Sequence, residues 1–232
     1  LRFREIYLRL KSPAIVTERR TERGYKGALS YIPASTLRGA LLSSLFYHGG
    51  LSVDRLAREK DNPTLFCTPA FPLGGEKSWP SHPFLFKCKV CGTLVSTTEE
   101  VLSQMESGNE PSLRFTCPEG HMALEGIHPR FVFPSEKKMA NVEPFSSVSV
   151  AINKDRAASE GGLLFEYDAI AAGQKFWARI GYEDDLPDLF DKGFEFWIGR
   201  GISRGFGWTE ITDAKNVDLR QEVESLRGSI VS

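Results

Sequence analysis

The chain has 232 residues, 41% of them hydrophobic, which suffices for one large domain or two small ones around a substantial core. Its formal net charge of −1 excludes a protein that grips nucleic acid through overall charge. No apolar run reaches the roughly 18 to 20 residues of a membrane span and no charged start leads into an apolar core, so a globular protein of the cytoplasm, off the membrane, is expected.

The charge is unevenly placed. Residues 1–40 hold nine Lys or Arg against three Glu, while residues 183–191 are acidic. One basic and one acidic region would let the chain hold nucleic acid and also dock against neighbouring subunits. Ile6, Leu8 and Leu10 alternate with Tyr7 and Arg9, which predicts a half-buried strand ending at Ser12 and Pro13. Residues 17–27, Thr-Glu-Arg-Arg-Thr-Glu-Arg-Gly-Tyr-Lys-Gly, form a charged, glycine-containing loop. It reads either as a solvated hairpin tip or as a place where Arg19, Arg20, Arg23 and Lys26 meet phosphates.

Residues 31–42 read Tyr-Ile-Pro-Ala-Ser-Thr-Leu-Arg-Gly-Ala-Leu-Leu. Pro33 ends an extended segment, Ser35 is the expected N-cap, and Leu37, Leu41, Leu42, Leu45 and Phe46 make the buried face of a helix running to about His48. Open amides at such a terminus, a hydroxyl at Ser35 or Thr36 and a cation at Arg38 suit a phosphate, although a well-capped core helix has the same pattern.

Pro63, Pro69, Pro72, Pro80 and Pro83 with Gly74 and Gly75 mark an irregular excursion. It leads into Cys88-Lys-Val-Cys91-Gly, and after 25 intervening residues into Cys117-Pro-Glu-Gly-His121. Two ligand pairs of this kind fit a structural Cys₃His zinc site, with a redox CxxC or unrelated thiols as the alternatives and Cys67, His82 and His128 as substitute ligands. Four cysteines are too few for a secreted disulfide framework. The polar, acidic residues 99–111 read as a solvated insertion.

From Phe145 onward the pattern is orderly. Val148, Val150 and Ile152 alternate, residues 153–162 make a polar loop, residues 163–167 are extended, and Phe176, Ala178 and Ile180 alternate again. Leu186, Leu189, Phe190, Phe194, Trp197 and Ile198 fall at helical spacing with Pro187 suited to a first turn, predicting a helix over 186–198. Residues 199–211 read Gly-Arg-Gly-Ile-Ser-Arg-Gly-Phe-Gly-Trp-Thr-Glu-Ile. Four glycines let backbone approach a ligand while Arg200, Ser203 and Arg204 supply charge and a hydroxyl, a composition that suits a phosphate chain or merely a tight helix-to-strand turn. The spacing fits neither GxGxxG nor GxxxxGK[ST], which argues against a dinucleotide or nucleoside triphosphate cradle. Residues 206–211 read as a strand.

Residues 31–39 resemble the Tyr-[Ile/Val]-Pro-Gly-Ser-Ser-[Leu/Ile]-[Lys/Arg]-Gly motif that opens the first helix of the RAMP superfamily, the repeat-associated RNA-binding subunits of CRISPR effector complexes. The main departure is Ala34 in place of glycine. Residues 199–207 resemble that superfamily's C-terminal glycine-rich loop, and the two matches stand in the family's order. The resemblance implies an α+β, ferredoxin-like (RRM-like) core over 1–50 and 145–212, with 51–144 as a Pro-rich, zinc-binding insertion and 213–232 as a short tail. It implies a subunit of a type III antiviral effector complex that holds CRISPR RNA, at the guide backbone or at its repeat-derived 5′ end, among other protein subunits and with no small-molecule substrate. The implied RNA contacts are Ser35, Thr36, Arg38, Gly199, Arg200, Gly201, Ser203, Arg204, Gly205, Phe206 and Gly207. Target-cleaving relatives place an Asp in the loop before the Tyr-Ile-Pro motif, whereas residues 17–30 hold Glu18 and Glu22 but no Asp. Guide-processing endoribonucleases of the superfamily use a His, for which His48 is the candidate. Holding RNA without cutting it is therefore expected, against an endoribonuclease or a zinc-stabilised protein-interaction module with no RNA role.

Overall fold

The computed structural model describes residues 2–21, 24–48, 50–110, 112, 114–153, 158–183, 190–222 and 224. In chain order the elements are β1 (Arg2–Leu10), β2 (Thr17–Thr21), β3 (Gly24–Ala28), α1 (Ala34–Tyr47), α2 (Val53–Arg58), β4 (Leu65–Cys67) and β5 (Phe71–Pro72). Then come β6 (Trp79–Pro80), β7 (Leu85–Cys88), β8 (Leu94–Ser96), α3 (Thr98–Glu106), β9 (Leu124–Gly126), β10 (Phe131–Phe133) and β11 (Lys138–Met139). The last are β12 (Pro144–Asn153), β13 (Ala158–Ile170), β14 (Lys175–Tyr182), β15 (Glu195–Trp197) and β16 (Trp208–Asn216). They form a mixed, strand-rich α/β protein of two compact units, Leu1–Pro72 with Val142–Ser232, and Leu73–Asn141.

The first unit is organised about β1, which pairs antiparallel with β14 on one side and β16 on the other. β14 also pairs with β4 and β5, and β15 lies outside β16, giving the order β15-β16-β1-β14-β4. The alternation read from the sequence is the reason. Ile6, Leu8, Leu10, Phe176, Ala178 and Ile180 all turn into one core with Leu37, Leu41 and Leu45 of α1. Each such large apolar side chain contributes about 1.5–3 kcal/mol by leaving water.

Helix α1 differs from expectation at its start. Pro33 occupies the N-cap, no side chain caps the helix, and Ser35 lies within the first turn. Proline suits this place because it has no N–H to leave unsatisfied. Residues 51–72, expected to belong to the insertion, supply α2 and the sheet strands β4 and β5 to the first unit. Ser52 Oγ caps α2 by accepting a bond from the Arg55 amide at 3.2 Å.

The first unit also contains the sheet β12-β13-β3-β2. The charged stretch expected to be a loop is thus a hairpin, Thr17 facing Ala28, whose second strand runs parallel to β13. The Gly27 amide donates to Asp168 Oδ2 at 3.0 Å, fastening hairpin to strand. Of the expected polar loop at 153–162, residues 158–162 belong to β13 and residues 154–157 lie outside the described residues.

No helix occupies 190–198. Residues 184–189 lie outside the described residues, Gly193 has φ +90°, and β15 follows. Phe196 and Ile198 are fully buried while Trp197 is exposed, a strand alternation that the helical spacing concealed. In the C-terminal stretch β16 extends to Asn216, and residues 225–232 lie outside the described residues.

The second unit holds two three-stranded sheets, β11-β10-β6 and β8-β7-β9. Helix α3 lies in the polar, acidic stretch expected from residue 99 to be a solvated insertion, with Val101 its one buried residue. No helix among the described residues is long and apolar enough to cross a membrane.

Candidate nucleic-acid interface and metal centre

The loop after β15 is fitted tightly to the segment that follows β1. Gly199, Gly201, Gly205 and Gly207 all have positive φ, between 75° and 85°. The Arg200 amide donates to the Ile15 carbonyl at 3.1 Å and the Gly207 amide to the Pro13 carbonyl at 2.8 Å. A Cβ on Gly207 would lie 2.0 Å from the Ile198 carbonyl oxygen, so only glycine permits this path. Around Gly205, by contrast, a Cβ would meet nothing within 4 Å. Gly199, whose Cβ would lie 2.4 Å from the Ile15 carbonyl oxygen, thus joins Gly207 in meeting a backbone packing demand as well as the dihedral one.

This fit holds the loop beside the first turn of α1. The two edge a groove of about 460 Å³ lined by Ser35, Thr36, Gly39 and Ser43 from the helix, Gly199, Arg200 and Ile202 from the loop, and Trp197 from β15. Leu37 is the first helical residue whose amide reaches a carbonyl of the preceding segment, that of Pro33, so the amides before it face outward at a positive helix end. Arg200 is the only charged lining residue among the described residues, and it is a cation.

The other expected contacts are distributed differently. Ser203 is exposed on the short 3₁₀ turn Ile202–Arg204. Arg204 bonds to the Tyr167 hydroxyl, with its guanidinium 4.9 Å from the centre of that ring. Phe206 packs against Tyr167 and Phe145, with ring centres 6.4 and 6.5 Å away, and supports the loop from beneath. Arg38 is not in the groove. Its Nε donates to the Leu65 carbonyl at 2.8 Å and its Nη2 to Glu59 Oε2 at 2.7 Å, so it braces α1 against the segment leading to β4.

Burial would raise the carboxyl of Glu59, but bonds from Thr64 and Arg38 outweigh it and hold the group below the usual range. Arg19, Arg20 and Lys26 lie on the β2–β3 hairpin, and only their backbone is described. Glu22 and Arg23 lie outside the described residues. Glu18 sits beside Gly27. The His48 ring is committed to the end of α1, with Nδ1 2.9 Å from the Ser44 carbonyl and the ring centre 5.7 Å from that of Phe194.

The metal candidates converge. Ligand atoms of Cys88, Cys91, Cys117 and His121 all lie within 4.8 Å of one another, with His121 Nδ1 3.3 Å from Cys117 Sγ and 3.7 Å from Cys88 Sγ. Each ligand pair sits on a turn closed by a glycine of positive φ, Gly92 at 77° and Gly120 at 80°. The Val90 amide donates to Cys88 Sγ and the His121 amide to Cys117 Sγ, both at 3.4 Å. Such bonds favour thiolate, the form that ligates a metal. Hydrogen bonding with Thr93 pulls the Cys91 thiol down to about 6, while burial pushes Cys117 up. The substitutes considered from sequence lie elsewhere: burial raises Cys67 to about 12, and His128 Nδ1 is 2.6 Å from the Ser81 carbonyl.

Sequence reasoning missed Trp197 and Tyr167 at this interface. Trp197 was assigned to a helix, and no local signal announces that Tyr167 stands beneath a loop more than thirty residues away.

No curated protein matches the chain in sequence. Among solved structures, a chain from the cryo-EM structure of the type III-B Cmr-beta bound to cognate target RNA is 13% identical, with a TM-score of 0.50, 90% of this chain and 96% of that one being covered. Cmr4 (Cas7) of Pyrococcus furiosus is 12% identical at a TM-score of 0.38, with 93% and 100% covered. The sequence model of the RAMP superfamily matches residues 7–210, a span that begins within β1 and takes in α1, the glycine-rich loop and the whole second unit. The chain therefore belongs to the RAMP superfamily.

Proposed function

We propose that this chain is a CRISPR RNA-binding subunit of a type III antiviral effector complex, acting in the cytoplasm and holding the guide backbone or its repeat-derived 5′ end. One observation carries the reading: the glycine-rich loop and the first turn of α1, far apart in sequence, edge one groove whose only charged lining residue among those described is Arg200. Outward-facing amides, the Ser35 and Thr36 hydroxyls and one guanidinium suit a polyanion without selecting its bases. Arg204 and Ser203 on the rim, and Arg19, Arg20, Arg23 and Lys26 on the hairpin, extend the contact. Membership of the superfamily and the fold likeness to a Cmr-beta chain support this placing among other protein subunits.

The sheet order β16-β1-β14-β4, every neighbouring pair antiparallel, supports a ferredoxin-like core in which β1, α1, β4, β14 and β16 are the retained elements. Residues 1–50 and 145–212 carry most of that core; of the Pro-rich, zinc-binding insertion expected at 51–144, residues 51–72 lend β4 and β5 to the sheet, and of the tail expected at 213–232, residues 213–216 continue β16. Cys88, Cys91, Cys117 and His121 would hold one structural Zn²⁺, which would cross-link two turns of the insertion. The subunit holds RNA and does not cut it. His48 is bonded to its own helix, and residues 17–30 offer Glu18 and Glu22, each one methylene longer than the Asp that cleaving relatives place there, but no Asp.

The test is purification of the native complex with its RNA. A co-purifying guide that cross-links to this chain through residues 199–204 is the expected result. A chain that assembles without RNA contact would refute the proposal and favour the interaction-module reading.

A further inference from the structure

The groove has a second character that phosphate binding leaves unused. Its wall at the β15 end is apolar and open: Trp197 is 43% exposed and Ile202 49% exposed. Side by side on one groove, the indole and the Ile202 side chain make a contiguous apolar wall rather than scattered surface residues. Trp197 pairs directly across the sheet with Trp208, yet the two rings differ in circumstance. Lys11 Nζ stands 4.2 Å from the centre of the Trp208 ring and bonds to Glu195 at 2.9 Å, so that indole is engaged. No ring or cation contact involves Trp197 among the described residues.

Opposite this wall the helix is kept bare. A Cβ at Gly39 would meet nothing within 4 Å, and Ser35 and Ser43, one turn to either side, are small and exposed. A volume of about 460 Å³ lies within the range that accommodates a small ligand, such as one nucleotide with its base.

We propose that Trp197 is a stacking platform for one base of the single-stranded RNA whose phosphates lie at Arg200 and the first turn of α1. The proposal rests on the RNA-binding reading and adds to it a base-contacting residue that tolerates any base, because every base presents a π face. Single-stranded RNA is the occupant favoured by charge, since among the described residues the lining carries a cation and no carboxylate. A larger cavity of about 890 Å³ lies near the start of β1 between Arg2 and Arg220. Its Arg4 is already bonded to Asp191 at 2.8 Å and to Asn216 at 3.1 Å, so its charge is largely spent.

The experiment compares binding of the purified chain to a labelled oligouridine and to the same oligomer with abasic sugars, by fluorescence anisotropy. Wild type, Trp197→Ala and Trp197→Phe are measured, each first checked for an unchanged Tm and for its state of association. Wild type is expected to favour the base-bearing oligomer by roughly tenfold. Trp197→Ala should lose that preference while binding the abasic oligomer as wild type does, and Trp197→Phe should restore most of it. Equal losses on both oligomers, no loss on either, or a changed state of association in Trp197→Ala would overturn the stacking role while leaving the RNA-binding reading intact. Failure of wild type to bind either oligomer would instead overturn the RNA-binding reading, and the stacking role with it.

Discussion

The Ile15 carbonyl oxygen lies where a Cβ on Gly199 would come within 2.4 Å of it, so the backbone of the glycine-rich loop touches the backbone that follows β1. Gly199 also has φ +81°. Gly199→Ala should therefore cost the left-handed penalty of about 1–2 kcal/mol plus displacement of the loop. Gly205→Ala, at φ +85° but with nothing near, should cost only the first part. Urea unfolding of the two variants checks this, and RNA affinity should fall further in Gly199→Ala because Arg200 moves with the loop. Equal destabilisation in the two would count against the close approach.

Arg200 lines the groove and Arg204 engages Tyr167, which predicts different effects. Arg200→Ala should weaken binding to unrelated RNA sequences alike and flatten the slope of log affinity against log salt by roughly 0.7, one phosphate contact on a single strand. Arg204→Ala should also release Tyr167, with which it both bonds and stacks, and so lower Tm slightly. An unchanged salt slope in Arg200→Ala would assign that side chain to structure.

Arg38, a phosphate candidate by sequence, behaves here as a brace. Arg38→Ala should leave the Glu59 carboxylate, 3% exposed, without its cation. The loss should be about 2–3 kcal/mol of stability, below the usual 3–5 for a fully buried pair because Arg38 is itself 30% exposed. RNA affinity of the folded protein should change less than twofold. The sign with pH follows from the lowered carboxyl of Glu59: its contribution is complete above the ordinary value near 4.5 and disappears as pH falls through the folded value. Acid unfolding of wild type should be steeper there than that of Glu59→Gln.

Much of this arrangement was legible in the sequence, and the failures have physical causes. Leu37, Leu41 and Leu45 marked α1 because one buried face suffices to fix a helix. The cysteine pairs were legible because ligand spacing is local. The helix expected at 186–198 failed where Phe190, Phe194 and Trp197 fell by accident at helical intervals, while the edge strand is held by Trp208 and Glu210 from beyond the loop. The bracing role of Arg38 was not legible because its partner, Glu59, reaches it through tertiary packing. The hairpin at residues 17–28 looked like a loop because its support is β13, more than a hundred residues later.

The metal centre yields a direct measurement. Protein prepared without chelator should carry one Zn²⁺ per chain, and Cys88→Ser or chelation should open the 73–141 region to limited proteolysis while leaving the first unit folded. Absence of zinc together with unaltered proteolysis of Cys88→Ser would remove the metal from the account.

The position of β1 also bears on how the protein is made. Its hydrogen-bonding partners are β14 and β16, so Arg9 finds Lys175 only after the intervening chain has been synthesised. At about 5–20 residues per second, the ribosome would leave the central strand of the main sheet unpaired for roughly ten seconds or more. During that interval the core partners of Ile6, Leu8 and Leu10 that have already been made are those of residues 14–70, with Leu37, Leu41 and Leu45 of α1 among them. The apolar face of β1 is thus the surface that a nascent chain of this topology must keep covered until the strands that complete the sheet emerge.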